Sequence, residues 1–265
     1  MAKRGGQRMG GGAGGGVTQT VTVAATGNKL PKIGNPIVKP LHSLGVDGVD
    51  VISNVDITAE HGKALLLMAG VPKLKAGDRV SIRKADDGSS GYRVVFERNS
   101  GVNSNAGTYM KRLIKPETGT VENEYFYNGK LSGLSGTEMF AQQVMTLKQQ
   151  GYKTMNTYAA KGTSIGGIKF NGYYTWLRFG YVPQSFNEQP IIRLTSEGVK
   201  RYNKSPKTFS PDGTMTGLMT TAEGKALWKQ HAKGGWDGSF DLTDGSYSMN
   251  TFKKYYKEKT GKTLK

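Results

Sequence analysis

The turn Ser132-Gly-Leu-Ser-Gly136, followed by Thr137, carries the residue types of an anion site. Two glycines and small hydroxyl residues let backbone N–H groups converge. Behind them, Phe140, Val144 and Leu147 keep the i, i+4, i+7 spacing of a helix with one buried face. The first N–H groups of a helix have no acceptor within it, and its dipole adds partial positive charge, so a phosphate or carboxylate is favoured there. Upstream, Glu124 is the carboxylate of the β-prone run Glu124-Tyr-Phe-Tyr127. Downstream, Asn171 opens an aromatic run, Tyr173, Tyr174, Trp176 and Phe179, closed by Gly180.

Other chemistries are poorly served. The chain has no cysteine, which excludes thiol catalysis, zinc ribbons and a disulfide framework. His42, His61 and His231 lie far apart and keep no metal-ligand spacing, so no metal site is expected. Asp237, Asp241 and Asp244 lack the ligand periodicity and terminal Glu of a calcium loop and suit turns and helix caps instead. The glycines of Gly162-Thr-Ser-Ile-Gly-Gly167 lack the Lys-Ser/Thr that closes a P-loop.

These residues need elements to position them. Glu124–Tyr127 reads as a strand, Thr137–Gln150 as a helix stopped by Gly151, Tyr152–Ala160 as a strand and Asn171–Phe179 as a short helix. That β-α-β-α order predicts neighbouring parallel strands joined by a right-handed crossover. Upstream, Arg79–Arg83 and Tyr92–Arg98 flank an Asp/Gly/Ser turn, and Met110–Ile114 and Glu122–Tyr127 flank Pro116–Gly119. Both pairs predict hairpins, so the sheet is expected to be mixed. Ile57–Ala69 predicts a helix with Asp56 or Thr58 as N-cap and Gly70-Val-Pro72 as its stop. Near the C-terminus, Ala222–His231 predicts a helix, and Thr243 or Asp244 a cap for a last helix with Met249, Phe252 and Tyr256 on one face.

The order Gly133-Leu-Ser-Gly-Thr-x-x-Phe140, the strand ending Tyr158-Ala-Ala160, and Asn171-Gly-Tyr-Tyr-Thr-Trp-Leu-Arg-Phe-Gly-Tyr181 resemble the acetyl-CoA-binding half of the GNAT N-acetyltransferases. More narrowly, the last motif and the tail Trp236-Asp-Gly-Ser-Phe-Asp-Leu-Thr-Asp244 are similar to a version found in tailed-phage genomes, in or near head genes. The resemblance covers the second half of the chain well and Asp78–Tyr127 loosely. It implies a GNAT-like central mixed sheet flanked by helices, of α/β (α+β mixed) class. It also implies acetyl-CoA as cofactor, with Ser132, Gly133, Ser135, Gly136, Thr137 and Asn171 binding it, and Glu124 and Tyr174 in the catalytic positions.

The match has departures. Leu131 and Leu134 stand where the family turn has Gln/Arg and its first glycine, which removes a polar contact and adds bulk against phosphate. Trp176 stands where many members carry a general-acid tyrosine, and an indole delivers no proton at neutral pH. Tyr173, Tyr174, Trp176 and Phe179 also read as core aromatics, since such side chains dominate burial.

Charge is concentrated at the ends of this 265-residue chain, whose formal net charge is +17. Lys3, Arg4 and Arg8 decorate a Gly-rich start, and Lys253, Lys254, Lys257 and Lys259 surround Tyr255 and Tyr256. Basic ends favour a polyanion through counterion release, and nucleic acid is the expected one. No sequence-reading DNA motif accompanies them. The longest apolar run, Ala64–Val71, is too short to cross a bilayer, and the start lacks the apolar core of a signal peptide.

The expected organisation is a flexible arm (1–17), a strand and helix region (18–75, with a strand at Thr18–Ala25 and an extended connection at Asn28–Lys39), a GNAT-like core (76–182), and a linker with a basic helical extension (183–265). Three functions compete. The first is a virion-associated or injected phage protein with a catalytically degenerate acyltransferase fold, touching DNA or head and portal proteins. The others are an active N-acetyltransferase, in which Glu124 or another carboxylate on that strand accepts the amine proton, directly or through water, and a DNA-binding accessory protein outside the virion. Virion or host cytoplasm is the implied location.

Overall fold

The computed structural model describes residues 43–98, 107–129, 133–163, 169–184, 200–232 and 235–264, with backbone alone at 161–163 and 169–171. The expected strand at Thr18–Ala25 and connection at Asn28–Lys39 lie outside the described residues.

Alternating apolar residues make the strands and alternating faces make the sheet. Strands β1 (Asp50–Ser53), β2 (Arg79–Lys84), β3 (Tyr92–Arg98), β4 (Thr108–Lys115), β5 (Thr120–Asn128), β6 (Thr154–Ala159), β9 (Val182–Pro183) and β10 (Trp236–Asp241) form one mixed sheet in the order β1-β2-β3-β4-β5-β6-β10-β9. A separate small hairpin pairs β7 (Lys161–Thr163) with β8 (Lys169–Asn171). Helix α1 (Ala59–Ala69) connects β1 to its parallel neighbour β2, and α2 (Gly136–Gln149) connects β5 to its parallel neighbour β6. The other pairs are antiparallel, including the two predicted hairpins, β2–β3 and β4–β5.

Caps explain where the helices begin and end. Thr58 accepts from His61 N–H at the start of α1, and Ser135 accepts from Glu138 N–H at the start of α2. Helix α3 (Gly172–Phe179) stops at Gly180, whose φ of +100° suits glycine. A Cβ there would also sit 2.5 Å from Ser248 O, so glycine lets α3 approach the last helix, α7 (Tyr247–Thr260). The cap of α7 is Ser246, which accepts from Met249 N–H, not Thr243 or Asp244 as the sequence suggests. Asp241 and Thr243 are engaged in the preceding turn, where Thr243 N–H donates to Asp241 Oδ1.

One face of β2–β5 is the core. Val80, Ile82, Val94, Phe96, Met110, Ile114 and Val121 are buried there with residues of α1, α2, α3 and α7. The alternate residues Arg79, Ser81, Arg93, Val95, Glu97, Tyr109 and Lys111 line a shallow hollow on the opposite face. At the edge of the core the Arg98 guanidinium, 5% exposed, grips the Asp78 carboxylate, 1% exposed, through two bonds of 2.6 Å. Arg98 also donates to Lys73 O and Asp78 accepts from Lys75 N–H, so this pair fastens the segment leading into β2.

The centre of the core is aromatic. Phe140 of α2 meets Trp176, Phe179, Tyr181, Phe240 and Phe252 at ring-centroid distances of 4.7–5.9 Å. Residues 236–260, which the sequence assigns to a helical extension, supply an internal strand and a core helix: β10 lies between β6 and β9, and Met249, Phe252 and Tyr256 are buried. A second cluster forms on the other side of α3. There Tyr173 and Leu177 pack with α4 (Pro206–Phe209), α5 (Met215–Leu218) and α6 (Ala222–His231) through Phe209, Leu218, Leu227 and Trp228. No described helix is long and apolar enough to cross a membrane.

Candidate functional site

Strands β5 and β6 are parallel neighbours for only part of their length. Their register runs from Thr120–Thr154 to Asn123–Thr157 and then ends, although β5 continues to Asn128. The pairing with β4 gives the reason. Lys111 faces Tyr125 while Arg112 faces Asn123, so Glu124 is an extra residue, a β-bulge. A bulge bends and over-twists its strand, which turns the end of β5 away from β6. The segment 124–127, predicted to pair with β6, is therefore the part that diverges from it.

The divergence opens a groove of about 320 Å³. Tyr125, Phe126, Tyr127 and Asn128 form one wall, Tyr158 and Ala160 the other, and Trp176, Phe179 and Tyr255 lie across it. Gly136 and Thr137, the first residues of α2, also line it. Gly136 is closely approached by the Phe126 ring, which a Cβ there would meet at 3.0 Å.

A buried polar cluster marks the point of divergence. Asn123 donates to Tyr181 Oη at 2.5 Å and accepts from Gln143 Nε2 at 2.9 Å, while Thr157 Oγ1 donates to Asn123 O. Beside Asn123, Arg112 is 3% exposed. It donates to Tyr125 O at 2.8 Å and lies over the Phe126 ring. Burial lowers the Arg112 pKa to about 10 and pushes the Tyr181 hydroxyl far above its usual range. At neutral pH Arg112 stays charged and Tyr181 neutral. A fixed positive charge thus lies against Tyr125 and Phe126 of the groove wall, where low dielectric strengthens its field. Arg112 Nε and Gln143 Oε1 are buried without a hydrogen-bond partner among the described residues.

The residues singled out from the sequence fall into distinct places. Gly136 and Thr137 line the groove; Gly133 precedes the helix in a left-handed conformation with φ +66° and does not line it. The Ser135 hydroxyl is spent on the cap of α2. Leu134 packs against the core and offers its carbonyl to Asn128 Nδ2 at 2.7 Å. Ser132, Leu131, Lys3, Arg4 and Arg8 lie outside the described residues. Asn171 ends β8, directly before α3.

Both expected catalytic residues are otherwise engaged. Glu124 lines the groove, but its carboxylate accepts from Arg93 Nε and Nη2 at 3.1 Å each and lies 3.4 Å from Lys111 Nζ. That carboxylate is held between two cations. Tyr174 is outside the groove lining, packed against the second cluster with Arg178 5.4 Å from its ring centroid. The neighbouring Tyr173 hydroxyl donates to Lys229 O. Trp176, the residue at the expected acid position, does line the groove.

The basic residues of α7 also differ among themselves. Lys254, Lys257 and Lys259 are exposed, whereas Lys253 is half-buried and paired with Asp244 at 3.6 Å. Sequence reasoning missed Arg112 and Tyr255 as parts of this site. Arg112 carried no signal beyond a charge in a β-prone run, but Tyr255 stood among lysines as an aromatic off the apolar stripe of its helix. Comparison with protein-family models, curated proteins and solved structures finds no match for this chain.

Proposed function

We propose that the groove between β5 and β6 binds an acyl-coenzyme A, and that the chain is a GNAT-like protein in which binding outlasts rapid acyl transfer. The observation carrying this reading is the divergence of two parallel strands at Asn123–Thr157, beside the start of a 14-residue helix. An elongated ligand with an anionic end fits such a place: the groove takes its apolar arm and the N–H groups of α2 favour its phosphates. The size of the groove is that of small-molecule sites in general. Weak chemistry follows from the committed Glu124 carboxylate and from Trp176 at the acid position.

Calorimetric titration with acetyl-CoA tests this. Micromolar binding is expected, with little CoA released when simple primary amines are added. An absence of binding at millimolar ligand would remove the coenzyme reading, and rapid turnover would remove the degenerate one.

The phage-type setting implied by the sequence resemblance belongs to the same proposal. A second activity, contact with DNA or a neighbouring head protein, is favoured by the exposed Lys254 and Lys257 on a chain of net charge +17. Truncation of α7 cannot test it, because Met249, Phe252 and Tyr256 belong to the core. Lys254→Gln/Lys257→Gln should instead leave the fold intact and lower the slope of log affinity against log salt by about 0.9 for each phosphate no longer neutralised. Filter binding to duplexes of unrelated sequence measures that slope. An unchanged slope, or no retention of DNA by the parent protein at low salt, would assign these charges elsewhere.

A further inference from the structure

Resting on the coenzyme reading above, we propose that Tyr255, Arg178 and Lys259 seat the nucleotide end of the groove ligand, a 3′-phosphorylated purine nucleotide. Tyr255 lines the groove yet comes from α7, the last helix. Its ring is propped against Phe179 at 5.2 Å. The Arg178 guanidinium lies 4.8 Å from its ring centroid and 5.4 Å from that of Tyr174, and Lys259 Nζ lies 6.0 Å from the Tyr255 centroid.

The state of these cations separates them from their neighbours. On the same stretch of chain Lys253 is paired with Asp244 and Lys262 with Glu138. Among the described residues, Arg178 and Lys259 have no carboxylate partner and are held only against aromatic faces. A planar ring beside two cations that no carboxylate neutralises among the described residues suits a base that stacks and a phosphate that pairs. Glu138, in the first turn of α2, is covered by Lys262, so its charge is offset where the phosphates would approach.

The test compares four ligands on the full chain by calorimetry: CoA, 3′-dephospho-CoA, 4′-phosphopantetheine and an oligothymidylate. Lys259→Ala, at an exposed residue, should weaken CoA severalfold and leave dephospho-CoA unchanged. Tyr255→Ala should weaken both nucleotide ligands about tenfold, in the range of stacking losses, and leave 4′-phosphopantetheine unchanged. Because Tyr255 also packs on Phe179, Tyr255→Phe serves as the variant that keeps the stack, and it should retain CoA affinity. Equal weakening of CoA and phosphopantetheine, or none of either, overturns the nucleotide seat while leaving the groove reading in place. Loss of the oligothymidylate alone would assign the cluster to nucleic acid and also overturn it. Failure of every coenzyme ligand to bind the parent protein would sink the groove reading itself.

Discussion

Asp78→Ala is expected to destabilise the fold by about 3–5 kcal/mol, because it leaves the Arg98 guanidinium buried and unpaired. Arg98 is 5% exposed and its two 2.6 Å bonds to Asp78 end together, leaving one bond to Lys73 O. The backbone loses an anchor as well, since Lys75 N–H donates to the same carboxylate. Urea unfolding followed by tryptophan fluorescence measures the loss. The double variant Asp78→Leu/Arg98→Met should recover much of it, since a buried pair adds little over well-packed apolar side chains. A single variant within about 1 kcal/mol of the parent would show that water reaches Arg98 and that the pair is peripheral.

Phe140→Ala should cost a similar amount, about 3–5 kcal/mol, by a different route. Phe140 is 3% exposed and touches five aromatic rings drawn from α3, β10, α7 and the residue after Gly180. Its removal opens a hole bounded by rings that cannot all move in, because Phe179 and Phe252 lie on different helices. Trp176 and Phe179 also line the groove, so under the proposed function Phe140→Ala should also loosen acetyl-CoA binding. Phe140→Leu, which keeps most of the volume, should lose less than half as much stability. A loss below about 1 kcal/mol for the alanine variant would mean that α2 does not present this face to the core.

Elements that declare themselves locally were legible in the sequence. The i, i+4, i+7 spacing of Phe140, Val144 and Leu147 and the stop at Gly151 give α2 within a residue at each end, and the two upstream hairpins follow from their turns. What depends on cross-strand register was not legible. The bulge at Glu124 exists only as a mismatch between β4 and β5, and no single segment reveals it. The capture of Glu124 by Arg93 and Lys111 likewise needs three strands side by side. Trp236–Asp241 is short, contains a glycine and two aspartates, and reads as a turn. Its strand state comes from two neighbours, β6 and β9, which satisfy its backbone on both sides.

The position of β10 has a consequence for synthesis. It is made after both β6 and β9, yet it lies between them in the sheet. Until residue 241 has emerged, the edge of β6 has no permanent partner, and at ordinary elongation rates that interval is on the order of ten seconds. Antiparallel pairing of β9 directly with β6 during that time would give a closed but wrong sheet that must reopen to admit β10. The nascent chain therefore passes through a window in which the β6 edge is exposed, an exposure that the finished sheet no longer has.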